Sequence, residues 1–433
     1  MQHLRKSVGA PCKRGGCLGK GYHPGQALMR ILIIQSWIKL GGAELISVEM
    51  AHELGNQGQE VTVAATFLDT GGMPNNATSV RYVVPAAWLQ HILARSRLAF
   101  LLAGPWVLLA LVWKYSRRVD VLNPHNFPSS WVAAIVGGLR RIPVIWTCNE
   151  PPEAPAWRDA SRIGLADYMG WHIASSWLDK VMVKRIQRIY VPSERTRRQV
   201  QARYGREATV IRIGVDLKYY RREEATFPTE LANEDGGSFI MLAVGKLHPQ
   251  KNQIVCLDAL KLVLPHIPYA ILVLAGDGPM SAQWRQHAAS IGVDEHVRFL
   301  GRVPSARVGG LYRRSNVNLF PALNQSWGFT PFEALCSDRI SIVSEECGAA
   351  ELLRREGIGL VCAPTPEEFA ESVRVVHDNP NVYRQKAIKG REFVLRHLTW
   401  KQYCMAFLDL AVGLIDRADR SQGDRAGIGE VPA

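Results

Sequence analysis

No two of the eight cysteines form a C-x-x-C pair; Cys12, Cys17, Cys148, Cys256, Cys336, Cys347, Cys362 and Cys404 are scattered along 433 residues. A chain of this length buries enough core to do without disulfides, so a reduced, cytosolic setting is expected. Cys12, Cys17 and His23 match no standard zinc spacing, and no metal site is expected. The amino end lacks the apolar h-region of a secretory signal. An apolar run of the ~20 residues that a membrane-spanning helix needs is also missing. The longest run, Leu98 to Trp113, has 16 residues and contains Pro105, which is expected to break it.

Negative charge is scarce where the chain is most basic. The net charge is +13, with thirteen Lys or Arg against three acids from Lys180 to Arg222, five basics and no acid from 93 to 118, and six basics in residues 1–30. The rest of the chain carries a net of about −8 by the same count. Such one-sided charge suits an anionic surface, membrane or nucleic acid. The 180–222 stretch lacks interleaved aromatics, so no nucleic-acid partner is expected. Arg95 and Arg97 precede the apolar run, Lys114, Arg117 and Arg118 follow it, and Trp106 and Trp113 lie within it. It reads as a segment lying in a membrane interface or as a buried helical hairpin, with a short spanning segment as the lesser alternative.

What is present is an alternation of apolar strands and amphipathic helices. ILIIQS (31–36), a Gly turn, a helix with Ile46, Met50 and Leu54 at spacing four, and EVTVAAT (60–66) form a βαβ start. Further strands read at 119–123, 143–148 and 188–193. A second series reads at 239–245, 270–276, 297–301, 317–321 and 340–345. These patterns predict an α/β chain of two Rossmann-like doubly wound domains facing each other across a cleft. Residues 1–28 are expected to be a disordered extension ahead of Met29, 29–215 the first domain, 216–237 a linker and 238–395 the second domain. Residues 396–433 are expected to hold a last helix, from Trp400 to about Asp416, and a disordered tail.

Gly turns follow several of these strands: Gly41-Gly42, Gly245, and Gly276-Asp277-Gly278. Glycine lets backbone approach a ligand, and helix amino ends attract anions. Lys246 and Lys251 add ammonium groups suited to a diphosphate. In NQSWGFTPFEAL (324–335), Gly328 stands at a strand-to-helix junction, and Phe329 and Thr330 offer helix amides. Glu333, one turn on, can accept hydrogen bonds from a vicinal diol such as a ribose.

With GGAE (41–44), AHELGNQGQEVTV (51–63), VIRIGVDLKYY (210–220), VGKLHPQKN (244–252), LAGDGP (274–279), FLGRV (299–303), SWGFTPFEAL (326–335) and CGAAELL (347–353), the chain resembles the family 4 glycosyltransferases of GT-B fold. The resemblance implies a retaining transfer from a nucleotide-diphosphate sugar, without metal or other cofactor. It implies Lys246 and Lys251 on the donor phosphates, Glu333 on the ribose, and Gly41, Gly42, Gly276, Gly278, Val303, Gly328, Phe329 and Thr330 around the donor. Gln325 stands at the first glutamate of the family's E-x7-E motif, where a residue facing the donor sugar is expected; glutamine keeps hydrogen bonding but loses the charge. That departure admits a second reading, a catalytically weak homologue serving as a nucleotide-sugar-binding partner subunit. Asp338 and Ile340 stand where the family more often has Gly and Pro. His125, just past a strand end, falls where the family often has a His near the donor sugar, and a core or capping His is the rival reading. CNEPP (148–152) resembles the CHTP-type turn of some mannosyl-transferring members, with Asn149 in place of His, which implies GDP-mannose as donor. The expected acceptor is a glycan or lipid-linked glycan in surface polysaccharide or glycolipid assembly, with the protein peripheral on the inner face of the plasma membrane.

Overall fold

The computed structural model describes residues 28–39, 42–69, 71, 75–151, 177–216 and 237–426. The expected extension up to residue 27, the expected linker over 217–236, Gly41 of the expected donor site, and residues 427–433 lie outside the described residues.

The first part runs β1 (Arg30–Ile34), α1 (Gly42–Asn56), β2 (Glu60–Ala64), β3 (Arg81–Val83), α2 (Ala87–Arg95), α3 (Arg97–Tyr115), β4 (Val121–Pro124), α4 (Ser129–Arg140) and β5 (Ile145–Thr147). After the undescribed stretch come α5 (Trp177–Lys184), β6 (Arg188–Val191), α6 (Glu194–Tyr204) and β7 (Thr209–Val210). The strands are parallel in the order β3-β2-β1-β4, and a bridge between Leu122 and Val144 carries the sheet on to β5-β6-β7. Successive residues of β1 face opposite ways: Ile31 and Ile33 enter one core, Leu32 and Ile34 the other. Burial on both faces is why this strand reads as an unbroken apolar run.

The second part runs β8 (Phe239–Val244), α7 (Ile254–Val263), β9 (Ala270–Ala275), α8 (Ser281–Ser290), β10 (Val297–Gly301), α9 (Ser305–Arg314), β11 (Val317–Phe320) and α10 (Thr330–Cys336). It continues with β12 (Ile340–Ser344), α11 (Gly348–Glu356), β13 (Leu360–Cys362), α12 (Pro366–Asp378), α13 (Pro380–His397) and α14 (Trp400–Ala426). Its sheet is parallel, ordered β10-β9-β8-β11-β12-β13. In both sheets the winding reverses beside the first strand, between β1 and β4 and between β8 and β11. Ligands of open α/β sheets bind outside the carboxyl ends of the strands at that reversal.

Two expectations are corrected. The last helix does not end near Asp416 but continues to Ala426. The added stretch is polar rather than poor in helix propensity, since Arg, Ala and Gln sustain the backbone there. Pro105 does not break the apolar run, because α3 passes through it as a continuous helix. An interior proline costs about 3 kcal/mol. Full burial of Leu108 and Val112 offsets that at roughly 1.5–3 kcal/mol each. Ser96 caps the helix start by accepting from the Ala99 amide at 3.1 Å.

α14 returns to the first sheet. Tyr403 and Tyr190 hydroxyls meet at 3.2 Å, and the Cys404 thiol reaches the Met50 carbonyl of α1 at 3.7 Å. The two halves also touch beside the strand ends. Glu351 of α11 accepts from the backbone amides of Glu194 and Arg195, at 2.7 and 3.2 Å, placing a carboxylate at the amino end of α6. Arg195 and Gln199 of α6 both donate to Asn324 Oδ1 at 3.1 Å.

Candidate functional site

The β8 and β9 loops interlock through close backbone approach. The Gly245 amide donates to Ala275 and the Leu247 amide to Asp277, at 2.9 and 3.1 Å. Gly276 sits at φ +155°, and a Cβ there would lie 1.9 Å from the Gly245 carbonyl oxygen. A Cβ on Gly278 would lie 2.2 Å from the Leu247 carbonyl oxygen. Both glycines are therefore required by packing of backbone on backbone, before any ligand is considered.

Next along the chain, Pro249–Lys251 forms a 3-10 turn. The Leu323 amide donates to the Gln250 carbonyl at 2.8 Å, and Asn252 Nδ2 donates to the Pro321 carbonyl at 3.3 Å. These bonds fasten the turn to the segment after β11, and the consequence is a contact across 74 residues: Lys251 Nζ donates to Gln325 Oε1 at 2.6 Å. The ammonium also lies 5.4 Å from the Phe320 ring centre. Burial pushes the Lys251 pKa below the ordinary lysine value, with the Cys347 and Glu150 side chains opposing that shift. An incoming diphosphate would oppose that shift by favouring the charged form.

Gln325 is held by its backbone, its amide donating to the Glu346 carbonyl at 3.1 Å while its own carbonyl accepts from Gly348 at 2.7 Å. Gly328 packs against Phe320 and Cys347. The Thr330 hydroxyl at the start of α10 is buried with no hydrogen-bond partner among the described residues. Glu333 Oε2 accepts from the Tyr312 hydroxyl of α9 at 2.9 Å. Val303 packs on the small core beneath β8 and β9, and Lys246 is solvent-exposed. From the first domain, Gly42 reaches the second: a Cβ built on it lies 4.0 Å from Phe329. Glu44 is engaged by Trp37, whose Nε1 donates to it at 2.7 Å. Gln250 Nε2 donates to Glu150 at 3.4 Å, so the β5 loop also touches the second domain.

His125 sits at the carboxyl end of β4, 2% exposed. Asn123 Nδ2 donates to the Ile145 carbonyl and to Thr147 Oγ1, which leaves Asn123 Oδ1 as an acceptor 3.0 Å from His125 Nε2. Nε2 therefore carries the proton, and Nδ1 is a buried lone pair with no partner among the described residues. Burial lowers its pKa from 6.5 to about 3, so the ring is neutral near pH 7. A depressed histidine pKa gives stability that is present above pH 6.5 and lost as pH falls toward 3, at about 1.4 kcal/mol per pH unit. His125→Gln should unfold with a shallower loss of thermal midpoint between pH 6 and 4 than the parent. An identical slope would contradict this assignment.

The structure thus brings Lys251, Gln325, Gly328 and the β8–β9 turns to one end of the second sheet and sets Gly42 opposite Phe329, while the contacts of His125 are within the first domain. Sequence reasoning missed Tyr312, Asn324, Arg195 and Glu351. Tyr312 gives no linear signal, whereas Glu351 lies inside the quoted CGAAELL segment. Asp338, where glycine is more common in the family, has φ +56°, a conformation that Asp tolerates better than most residues. It is anchored there by an ion pair with Arg391.

The model of glycosyltransferase family 4 matches residues 40–219, and that of glycosyl transferases group 1 matches 229–393. The chain is 25% identical over 216 residues to the GDP-mannose-dependent alpha-(1-6)-phosphatidylinositol dimannoside mannosyltransferase of Mycobacterium tuberculosis, covering 48% of this chain and 52% of that one. It thus spans about half the length of the first curated relatives it matches. It is 25% identical over 368 residues to the phosphatidyl-myo-inositol mannosyltransferase of Mycobacterium leprae, covering 83% and 90%. Among solved structures, Anabaena HepE in complex with UDP and glucose superposes with a TM-score of 0.70 at 16% identity, covering 89% of this chain and 100% of that one. With two matching family models over both domains and the doubly wound pair of sheets, the chain belongs to the family 4 glycosyltransferases and has the GT-B fold.

Proposed function

We propose that the protein is a retaining glycosyltransferase that moves a sugar, mannose favoured, from a nucleotide-diphosphate donor to a glycan or lipid-linked acceptor. The observation that carries this reading is the Lys251–Gln325 contact at 2.6 Å, which puts a buried ammonium beside a hydrogen-bonding amide at the sheet's switch point. In this reading Lys251, Lys246 and the amides at the start of α10 receive the diphosphate, Glu333 receives the ribose, and Gln325 faces the sugar. His125 is a neutral buried ring in the first domain, and no contact with the sugar is assigned to it. The bond from C1 of the sugar to the phosphate oxygen breaks as the acceptor oxygen bonds to C1 from the same face. The acceptor proton passes to the departing phosphate, so no protein base is assigned. The diphosphate charge is carried by these side chains and amides, and the proposal includes no metal or other cofactor. Mannose is supported by the CNEPP turn and by the named activities of the mannosyltransferase relatives.

The test is release of nucleoside diphosphate from a panel of UDP-, GDP- and ADP-sugars, with lipid-linked acceptor extracts and with EDTA present or absent. Turnover of one donor, with product of the donor's anomeric configuration and undiminished by EDTA, is expected. Tight donor binding without turnover would overturn the reading in favour of a donor-binding partner subunit.

A further inference from the structure

We propose that the outer face of α2 and α3, with the adjoining ends of α4 and α5, is a docking surface for a bilayer leaflet rich in anionic phospholipid. The proposal does not depend on the reading of the donor site.

The helix α3 is apolar on a buried side and on an adjoining exposed side. Leu108 and Val112 are fully buried in the core beneath the first sheet. On the other side Leu98, Leu102, Trp106 and Trp113 are 51%, 65%, 70% and 44% exposed. Steps of four, four and seven residues keep these on one stripe of the helix. α2, packed alongside, adds Trp88 and Ile92 one turn apart, both exposed, and Leu139 is exposed at the end of α4. Isolated exposed apolar residues are ordinary, but a contiguous apolar stripe bearing indole rings marks a surface that meets something.

Charge identifies the occupant. Residues 93 to 118 contain no acid. Arg95 ends α2, and Lys114, Arg117 and Arg118 follow the stripe, all exposed. The Arg140 guanidinium lies 4.1 Å from the Trp113 ring centre. α5, which packs on α4, exposes Trp177, Leu178, Lys180 and Lys184. Indoles and leucines inside a border of cations match the boundary between acyl chains and anionic headgroups. A second copy of the chain would instead set this positive border against itself. By length and composition, Leu98–Arg118 could cross a membrane. Crossing would require pulling Leu108 and Val112 out of the sheet's core, so the geometry points to a helix that lies on the leaflet.

The test is flotation of the full chain with vesicles of phosphatidylcholine, with and without about one third phosphatidylglycerol. It compares the parent protein, Leu102→Ser/Trp106→Ser and Arg117→Glu/Arg118→Glu, with light scattering of each in the absence of vesicles. The parent should bind the anionic vesicles at low salt and release as salt is raised. Each double variant should lose about tenfold or more of its partitioning, with thermal unfolding unchanged. If the serine variant does not fold, the exposed arginine pair carries the test alone. Absence of binding at low salt, or undiminished binding by a folded variant, overturns the proposal. So does a parent dimer that dissociates on the serine substitutions, which would make the face a contact between copies.

Discussion

Lys251→Ala is expected to lower kcat/KM for the nucleotide-sugar donor by about 10²- to 10³-fold, or roughly 2.7–4 kcal/mol, the usual effect of removing one preorganised electrostatic donor. The side chain is well placed for such an effect. The turn that carries it is fastened to the β11 segment through Gln250 and Asn252, so the ammonium needs little reorganisation to meet a charge. Its surroundings are dry enough to push its pKa down, and the same dryness strengthens its attraction to a leaving diphosphate. Folding should change little, because removing a buried ammonium also removes its desolvation penalty. A variant that keeps parental kcat/KM, with the same thermal midpoint as the parent, would remove Lys251 from the donor site.

Gln325→Glu should raise kcat by about 10- to 10²-fold. The amide oxygen already sits 2.6 Å from Lys251, and both backbone bonds of residue 325 are independent of the side chain. A carboxylate can therefore occupy the same place. It would exchange a hydrogen bond with one charged partner for one between two charges. It would also raise the Lys251 pKa toward its ordinary value and face the positive charge that develops on the sugar. A rate that stays level or falls would mean that the native amide, through its N–H donors, serves this donor better than a carboxylate does.

Much of the fold could be read from the sequence because parallel strands buried on both faces leave continuous apolar runs, and β1, β8 and β9 all do so. Ile46, Met50 and Leu54 showed the buried face of α1 for the same reason. β3, β7 and β13 went unread; each is two or three residues long and part-exposed, too short to establish a period. The path of α3 through Pro105 was illegible because tertiary burial, not local propensity, decided it. At the site, Gly276 and Gly278 were found as glycines after a strand, yet their reason is the β8–β9 interlock, which no linear pattern shows. The Lys251–Gln325 bond and the hold of Arg195 and Gln199 on Asn324 join segments more than 70 residues apart. Such contacts exist only after both sheets have formed.

The donor site is tested most directly by thermal unfolding of the purified protein with UDP, GDP and ADP and their sugars, for the parent and Lys251→Ala. One nucleotide class should raise the parent's midpoint at saturation and do so far less for Lys251→Ala, since a ligand stabilises the state it binds. No shift with any nucleotide, or equal shifts for both proteins, would contradict a nucleotide-sugar site built on Lys251.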